Sequence, residues 1–110
     1  MVTQKRPLEK NLQRKIIKSI ESSFKGKVIV YKVEKASIDG VPDLFFAIEG
    51  IGARCMEVKR DENEEPRANQ VFCINKLIQC GVPTYVVKTW EQWLVIRNGF
   101  IDVINQQLLE

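Results

Sequence analysis

One segment of this chain, residues 44–59, constrains the fold more than any other. It contains two runs rich in apolar residues, 44–48 and 53–59, and the sequence Glu-Gly-Ile-Gly separates them. Glycines between two short apolar runs are typical of a turn that joins antiparallel strands. We therefore predict a β-hairpin, which brings residues 14 positions apart in the sequence next to each other.

The predicted hairpin collects three ionisable side chains at one end of a sheet. Side chains alternate between the faces of a strand, so Glu57 and Lys59 project from one face and Val58 projects into an apolar layer on the other. The strand pairing brings Asp43 beside Glu57 and Lys59. Two carboxylates and an ammonium group arranged in this way can hold a hard divalent cation and activate a water molecule.

Structural alternatives exist for these three side chains. Asp43 follows Pro42, and Pro-Asp is also a common way to open a turn. Asp43, Glu57 and Lys59 would form a surface salt network if their strand lay at the edge of the sheet, since exposed ion pairs need no metal. On a central strand, by contrast, a carboxylate is costly unless it is paired or bound to a metal.

The remaining sequence predicts an α/β fold with the element order α-β-β-β-α-β-α. Apolar residues at every fourth position predict the first helix, and β-branched residues predict the strands outside the hairpin. A hairpin among alternating helices and strands indicates a mixed β-sheet flanked by helices. The elements expected outside the hairpin are a helix at 8–24, a strand at 27–33, a helix at 67–80, a strand at 84–88, a short helix to about residue 97 that Asn98-Gly99 ends, and a helical segment at 100–109.

Composition excludes several classes of chemistry. The chain has no histidine, which removes histidine-ligated zinc and the Ser-His and Cys-His catalytic arrangements. Its 110 residues, 45% of them hydrophobic, are expected to form one domain that spans 1–110. No apolar run approaches a membrane span and no signal-peptide core is present, so we expect a cytoplasmic protein without a membrane partner. The three cysteines lack metal-ligand spacing, and we expect all of them to be reduced, packed thiols.

Positive charge is concentrated near the start of the chain, although the net charge is only +3. A basic arm and helix of this kind can lie against the phosphates of a nucleic acid. The alternative is a solvated helix face with no binding role. The residues predicted to contact DNA are Lys5, Arg6, Lys10 and Arg14.

The order of these motifs resembles the VRR-NUC domain (virus-type replication-repair nuclease), which belongs to the PD-(D/E)XK nucleases. The matching stretch runs from Gly40-Val41-Pro42-Asp43 through Glu57-Val58-Lys59 to Gln70 and then to Gly81-Val82-Pro83 before a strand. It covers roughly residues 8 to 95, which is most of the chain. The resemblance implies a restriction-endonuclease-like core, in agreement with the element order.

The resemblance also implies roles for the hairpin residues. Asp43, Glu57 and the Val58 carbonyl are expected to hold one or two Mg²⁺ or Mn²⁺ ions, which lower the pKa of an attacking water. Lys59 is expected to orient that water or to stabilise the charge that develops on the phosphate.

Two further site residues are expected on helices. Gln70 lies on the inward face of the second predicted helix, where the resemblance places a glutamine beside the active site; the alternative is a first-turn glutamine that satisfies backbone groups. The resemblance also implies an acidic metal ligand on the first helix. Glu9 is the best match and Glu21 is the alternative.

Together these features lead us to expect a Mg²⁺- or Mn²⁺-dependent deoxyribonuclease similar to stand-alone phage-encoded nucleases of DNA replication and repair. A chain of this size offers little surface for reading a base sequence. We therefore expect a homodimeric, structure-selective endonuclease for branched or four-way-junction DNA. The alternatives are a resolvase of the archaeal type, a catalytically inactive nuclease fold that serves as a DNA-binding or assembly module, and a purely structural interaction domain.

Overall fold

The computed structural model describes residues 5–59, 61 and 63–110, with side chains described from Asn11 onward. Three helices and four strands follow each other in the predicted order α-β-β-β-α-β-α, and they form an α/β fold with a mixed sheet flanked by helices. The elements are α1 (Lys5–Ser23), β1 (Val28–Lys32), β2 (Leu44–Ile48), β3 (Gly52–Val58), α2 (Ala68–Gln79), β4 (Thr84–Val87) and α3 (Trp90–Leu109).

The four strands form one sheet in the order β1-β2-β3-β4. The hairpin is confirmed: β2 and β3 are antiparallel, with Leu44 opposite Met56 and Ile48 opposite Gly52. β1 adds to the hairpin in the antiparallel sense, whereas β4 runs parallel to β3. The strand that carries Glu57 therefore lies inside the sheet, with a neighbour on each side.

The main apolar core lies on one face of the sheet, beneath α1 and α3. It includes Phe46 and Val58 from the sheet, Ile16 from α1 and Trp93 from α3, all fully buried. The indole Nε1 of Trp93 donates a hydrogen bond of 2.9 Å to Ser19 Oγ, which satisfies the one polar group of this buried side chain. The opposite face of β3 is covered by α2, whose buried side chains include Gln70 and Cys73.

The prediction that Asn98-Gly99 ends a short helix is wrong, because α3 continues from Trp90 to Leu109. A glycine inside a helix costs about 1 kcal/mol relative to alanine. Trp93 and Phe100 are seven residues apart and lie on the same side of the helix, where both are buried in the core. Burying a phenylalanine contributes roughly 1.5–3 kcal/mol, so tertiary packing outweighs the local cost of Gly99.

The expectation of three packed thiols is correct for two of the three cysteines. Cys55 and Cys73 are buried, but Cys80 is exposed, and none of them forms a disulfide in the part of the chain that the structure describes. Cys80 is exposed because it is the C-cap of α2, beyond the last turn that packs on the sheet. None of the helices in the described ranges is both long and apolar enough to cross a membrane.

Candidate active site

Asp43 and Glu57 lie opposite each other at the end of the hairpin. Leu44 pairs with Met56, so the next position along the antiparallel ladder sets Asp43 against Glu57. The Asp43 carboxylate accepts a hydrogen bond of 2.9 Å from the Val58 backbone N–H. The Asp43 carbonyl accepts another of 2.7 Å from the Val33 N–H. Both its main chain and its side chain are therefore fixed between β1 and β3.

The loop before Asp43 is held against the start of α2. Gly40 has a φ of +86°, and a Cβ at this position would lie only 2.5 Å from the Asn69 carbonyl oxygen. A side chain at Gly40 would thus be disfavoured both by the backbone conformation and by the contact. Pro42 follows and is fully buried. The glycine and the proline of the Gly-Val-Pro-Asp motif therefore fix the loop that positions Asp43 in the site.

Glu57, Lys59 and Gln70 form one buried hydrogen-bonded network. Lys59 Nζ lies 3.2 Å from Glu57 Oε2 and 3.0 Å from Gln70 Oε1, and Gln70 Nε2 donates to Glu57 Oε2 at 2.8 Å. Glu57 is only 3% exposed and Lys59 only 5%. The alternative of a surface salt network on an edge strand is therefore wrong, because β3 is interior and the pair is buried.

Gln70 contacts both the backbone at the start of α2 and the charged pair on β3. Its Oε1 accepts from the Arg67 backbone N–H at 2.9 Å, which satisfies a donor at the start of α2, and the same oxygen accepts from Lys59. Its Nε2 is the donor to Glu57. Lysine can only donate and an ionised carboxylate can only accept, so these partners define the orientation of the amide. Gln70 thereby couples the first turn of α2 to the charged pair on β3.

The two carboxyl groups resist being ionised together. Burial raises the pKa of Asp43 above its usual range, although the Val58 N–H and the charges of Lys59 and Lys32 act in the opposite direction. Burial, and then repulsion from Asp43, raises the pKa of Glu57 to about 7, although Lys59 lowers it. The nearby lysine charges thus leave the negative charge of the site incompletely balanced.

One carboxylate oxygen of this site has no well-formed hydrogen bond to any described residue, although the nearby Asp43 backbone N–H helps to lower the pKa of its carboxyl group. This oxygen, Glu57 Oε1, is buried. An unsatisfied buried acceptor is costly, and a buried carboxylate oxygen beside a second acid suits a hard cation, which prefers oxygen ligands. These residues therefore fit a divalent metal ion.

The protein ligands for such an ion would be few. No cluster of three or more His, Cys, Asp or Glu side chains arranged to hold a metal occurs within residues 11–59, 61 and 63–110. Mg²⁺ characteristically uses one or two carboxylates and completes its shell with water and substrate phosphate. Asp43 and Glu57 would supply the two carboxylates, and the Val58 carbonyl lies on the backbone between Glu57 and Lys59.

The first helix contributes a residue that the sequence analysis did not select. Gln13 is buried, and its side-chain amide lies beside Asp43, where it lowers the pKa of that carboxyl. The side chain of Glu9 lies outside the described residues. Glu21 is exposed and lies about 12 Å farther along α1 than Gln13, at 1.5 Å per residue. In the sequence, Gln13 could have been recognised as a candidate site residue because it is a polar residue beside the apolar stripe of an amphipathic helix.

The predicted DNA-binding residues are only partly described. The side chains of Lys5, Arg6 and Lys10 lie outside the described residues, and Arg14 is exposed. Lys15 lies over the ring of Trp90, with Nζ 4.3 Å from the ring centroid, so α3 holds this cation.

The sheet, its flanking helices and the acidic end of the hairpin define an α/β domain with a mixed four-stranded sheet. One solved structure described as "VRR_NUC domain" matches with a TM-score of 0.69 and 24% identity, covering 78% of this chain and 89% of the other. A second, described as "VRR_NUC domain protein", matches with a TM-score of 0.65 and 18% identity, covering 86% and 88%. The chain therefore has the fold of VRR-NUC domains, as the order of its motifs predicts. No family model and no curated protein matches the sequence.

Proposed function

We propose that this protein is a Mg²⁺- or Mn²⁺-dependent DNA endonuclease that hydrolyses phosphodiester bonds at the Asp43–Glu57 end of the hairpin. The observation that carries the proposal is Glu57 Oε1, which is buried on an interior strand opposite a second carboxyl group and has no well-formed hydrogen bond to any described residue. The shared fold with VRR-NUC domains supports the reaction class. Neither support depends on the other.

Each residue of the site has a proposed task. Asp43, Glu57 and the Val58 carbonyl would hold one or two metal ions, and the α1 acid Glu9 remains a proposed further ligand. When bound, the metal supplies Lewis-acid polarisation of the phosphate and a lowered pKa for water at the site. The Val58 N–H bond holds Asp43 in place for this task at 2.9 Å.

Lys59 is proposed to stabilise the charge that develops on the scissile phosphate. An ammonium group has three N–H donors, and the contacts to Glu57 and Gln70 use two of them. The third donor has no partner within the described part of the chain, so it is available to a phosphate oxygen or to the attacking water. Gln70 is proposed to hold the side chains of Lys59 and Glu57 in position without touching the substrate.

The preferred substrate is proposed to be branched DNA, cut by a homodimer. A symmetric dimer places two sites on one assembly, which suits a four-way junction. An apolar groove between the loop before β2 and α2 offers a surface for this contact, since its residues Ile38 and Phe72 are each 63% exposed. Light scattering at micromolar concentration should give twice the monomer mass, and Phe72→Asp should give the monomer. Val95→Asp is the matched control, because Val95 is also a largely exposed apolar residue, at 74%, but lies on α3.

Cleavage of labelled linear, flapped and four-way-junction DNA tests the function. We expect cutting with Mg²⁺ or Mn²⁺, no cutting with EDTA, and preference for the junction. Glu57→Gln should remove cutting, whereas Glu49→Gln, an exposed acid at the other end of the same hairpin, should not. Absence of cutting on every substrate, together with DNA binding that Glu57→Gln does not change, would identify the chain as an inactive nuclease fold that binds DNA.

A further inference from the structure

A groove beside the candidate active site carries three positive charges. It lies between α1 and the end of β1 and has a volume of about 370 Å³. Buried Gln13 and half-buried Ile17 form its floor, and the charged side chains around them are Arg14, Lys18, Lys32 and, at the far end, Glu21.

The three cations of this groove face solvent, where an external anion can reach them. Arg14, Lys18 and Lys32 are all exposed, and none of them forms an ion pair with a described carboxylate. Arg14 and Lys18 are four residues apart, so they lie on the same side of α1 about 6 Å apart along its axis. Lys32 faces them from the sheet. A strand with regularly spaced phosphates matches this arrangement better than a single small anion does.

Two residues that line the groove, Gln13 and Lys32, also lie beside the candidate active site. The Gln13 amide lies beside Asp43, and the charge of Lys32 acts on the same carboxyl group. Lys32 is also the last residue of β1 and pairs with Leu44, the residue after Asp43. A phosphate bound between Lys32 and α1 would therefore belong to the same strand as a phosphate at Asp43.

We infer that this groove binds the sugar–phosphate backbone of the DNA strand on one side of the scissile phosphate, with Lys32, Lys18 and Arg14 as its phosphate contacts. This inference rests on the proposed function, which places the scissile phosphate at Asp43. Glu21 repels phosphate at the far end, so the strand leaves the groove before that residue. Lys18 and Lys32 are thus DNA-binding residues beyond the basic start of the chain.

The chain offers a matched control for the test. Lys25 and Lys27 are exposed lysines that follow α1, at the opposite end of the sheet from Asp43. Lys27 precedes the strand residue that pairs with Ile48, whereas Lys32 pairs with Leu44. The double variants Lys18→Gln/Lys32→Gln and Lys25→Gln/Lys27→Gln therefore remove the same charge from the two ends.

DNA binding is measured by fluorescence anisotropy with a labelled oligonucleotide, single-stranded and duplex, in a Glu57→Gln background that leaves the DNA uncut. At roughly 0.1 M salt, Lys18→Gln/Lys32→Gln should weaken binding about tenfold or more. The slope of log affinity against log salt should fall by about 1.4 for single strands and about 1.8 for duplex, because two phosphate contacts are lost. Lys25→Gln/Lys27→Gln should change neither quantity by more than about twofold.

Cleavage by the same variants with an intact Glu57 separates this inference from the proposed function. We expect Lys18→Gln/Lys32→Gln to raise KM. Lys18→Gln alone, which keeps the charge of Lys32 beside Asp43, should raise KM with little change in kcat, since Lys18 binds DNA and does not touch the reacting atoms. If the two double variants have the same DNA affinity, salt dependence and KM, the inference about the groove is wrong, whereas the proposed nuclease function is unaffected. If the unmodified protein cuts nothing but its DNA binding depends on Lys18 and Lys32, the proposed function fails and the groove stands.

Discussion

The two faces of β3 are both buried, but burial affects the stability of the protein in opposite ways on the two faces. Met56 and Val58 are fully buried on the face beneath α1 and α3, where they join the apolar core. Glu57 and Lys59 alternate with them and are nearly as buried on the face covered by α2. Burial on the first face stabilises the fold, whereas burial on the second opposes it through desolvation of charge. One strand thus carries the stability of the domain and its candidate chemistry on alternate residues.

Glu57→Gln should produce the largest effect and separate the two faces most clearly. We expect DNA cleavage to fall by about 10³-fold or more, about 4 kcal/mol of transition-state stabilisation, because a proposed metal ligand is lost. Stability in EDTA should stay the same or rise, because a buried acid that resists ionisation is replaced by a neutral amide. Activity assays and denaturant unfolding measure the two quantities.

Metal binding to this variant supplies a second readout. Mg²⁺ or Mn²⁺ should raise the thermal midpoint of the unmodified protein, since a ligand that binds only the folded state stabilises it. Glu57→Gln should abolish that increase, and Glu49→Gln should preserve it. An equal increase in all three proteins would place the metal elsewhere.

Met56→Ala should have the opposite profile. Removing this fully buried side chain leaves a cavity in the core and should lower the free energy of unfolding by about 3 kcal/mol. Cleavage by the folded protein below its melting transition should remain within a few-fold of normal. A loss of activity as large as that of Glu57→Gln would show that the two faces are not independent.

Lys59→Arg tests whether the polar face acts through charge or through position. The arginine keeps the charge, but Lys59 occupies a closed site defined by contacts of 3.0 and 3.2 Å to Gln70 and Glu57. A planar guanidinium cannot reproduce that geometry, so we expect roughly 10²-fold loss of activity. Activity within tenfold of normal would mean that Lys59 contributes charge alone.

The pH dependence of stability should come from the polar face, and this is the smallest of the expected effects. The folded-state pKa is raised for both Asp43 and Glu57, in the latter case from 4.5 to about 7. The folded protein therefore binds protons more tightly than the unfolded chain, and the stability that results is present below pH 4.5 and lost as the pH rises through 7. In EDTA, the unmodified protein should be more stable at pH 5 than at pH 8.

Glu57→Gln should flatten this pH dependence, whereas Met56→Ala should lower the whole curve and keep its shape. Denaturant unfolding at several pH values measures both. A slope that survives in Glu57→Gln would assign the pH dependence to other groups.

The fold could be predicted from the sequence wherever a local sequence pattern specified the element. The hairpin follows from two apolar runs around a glycine-containing turn, and the start of α3 follows from Thr89, whose Oγ1 accepts from the Gln92 N–H at 3.2 Å. The same reasoning failed at Gly99. There a local helix breaker is overruled by the burial of Phe100, which depends on residues distant in the sequence.

Some features of the candidate site likewise follow from local sequence patterns, and others depend on tertiary contacts. By itself, the sequence determined that Glu57 and Lys59 share a face and that a hairpin sets Asp43 opposite Glu57, because the period of a strand is a property of the backbone. Only the tertiary structure decided that β4 pairs with β3 and makes that strand interior, that Gln70 joins Lys59 to Glu57, and that Gln13 and Lys32 lie beside Asp43. Those contacts join separate elements, and their geometry is set by how helices and sheet pack around a shared core.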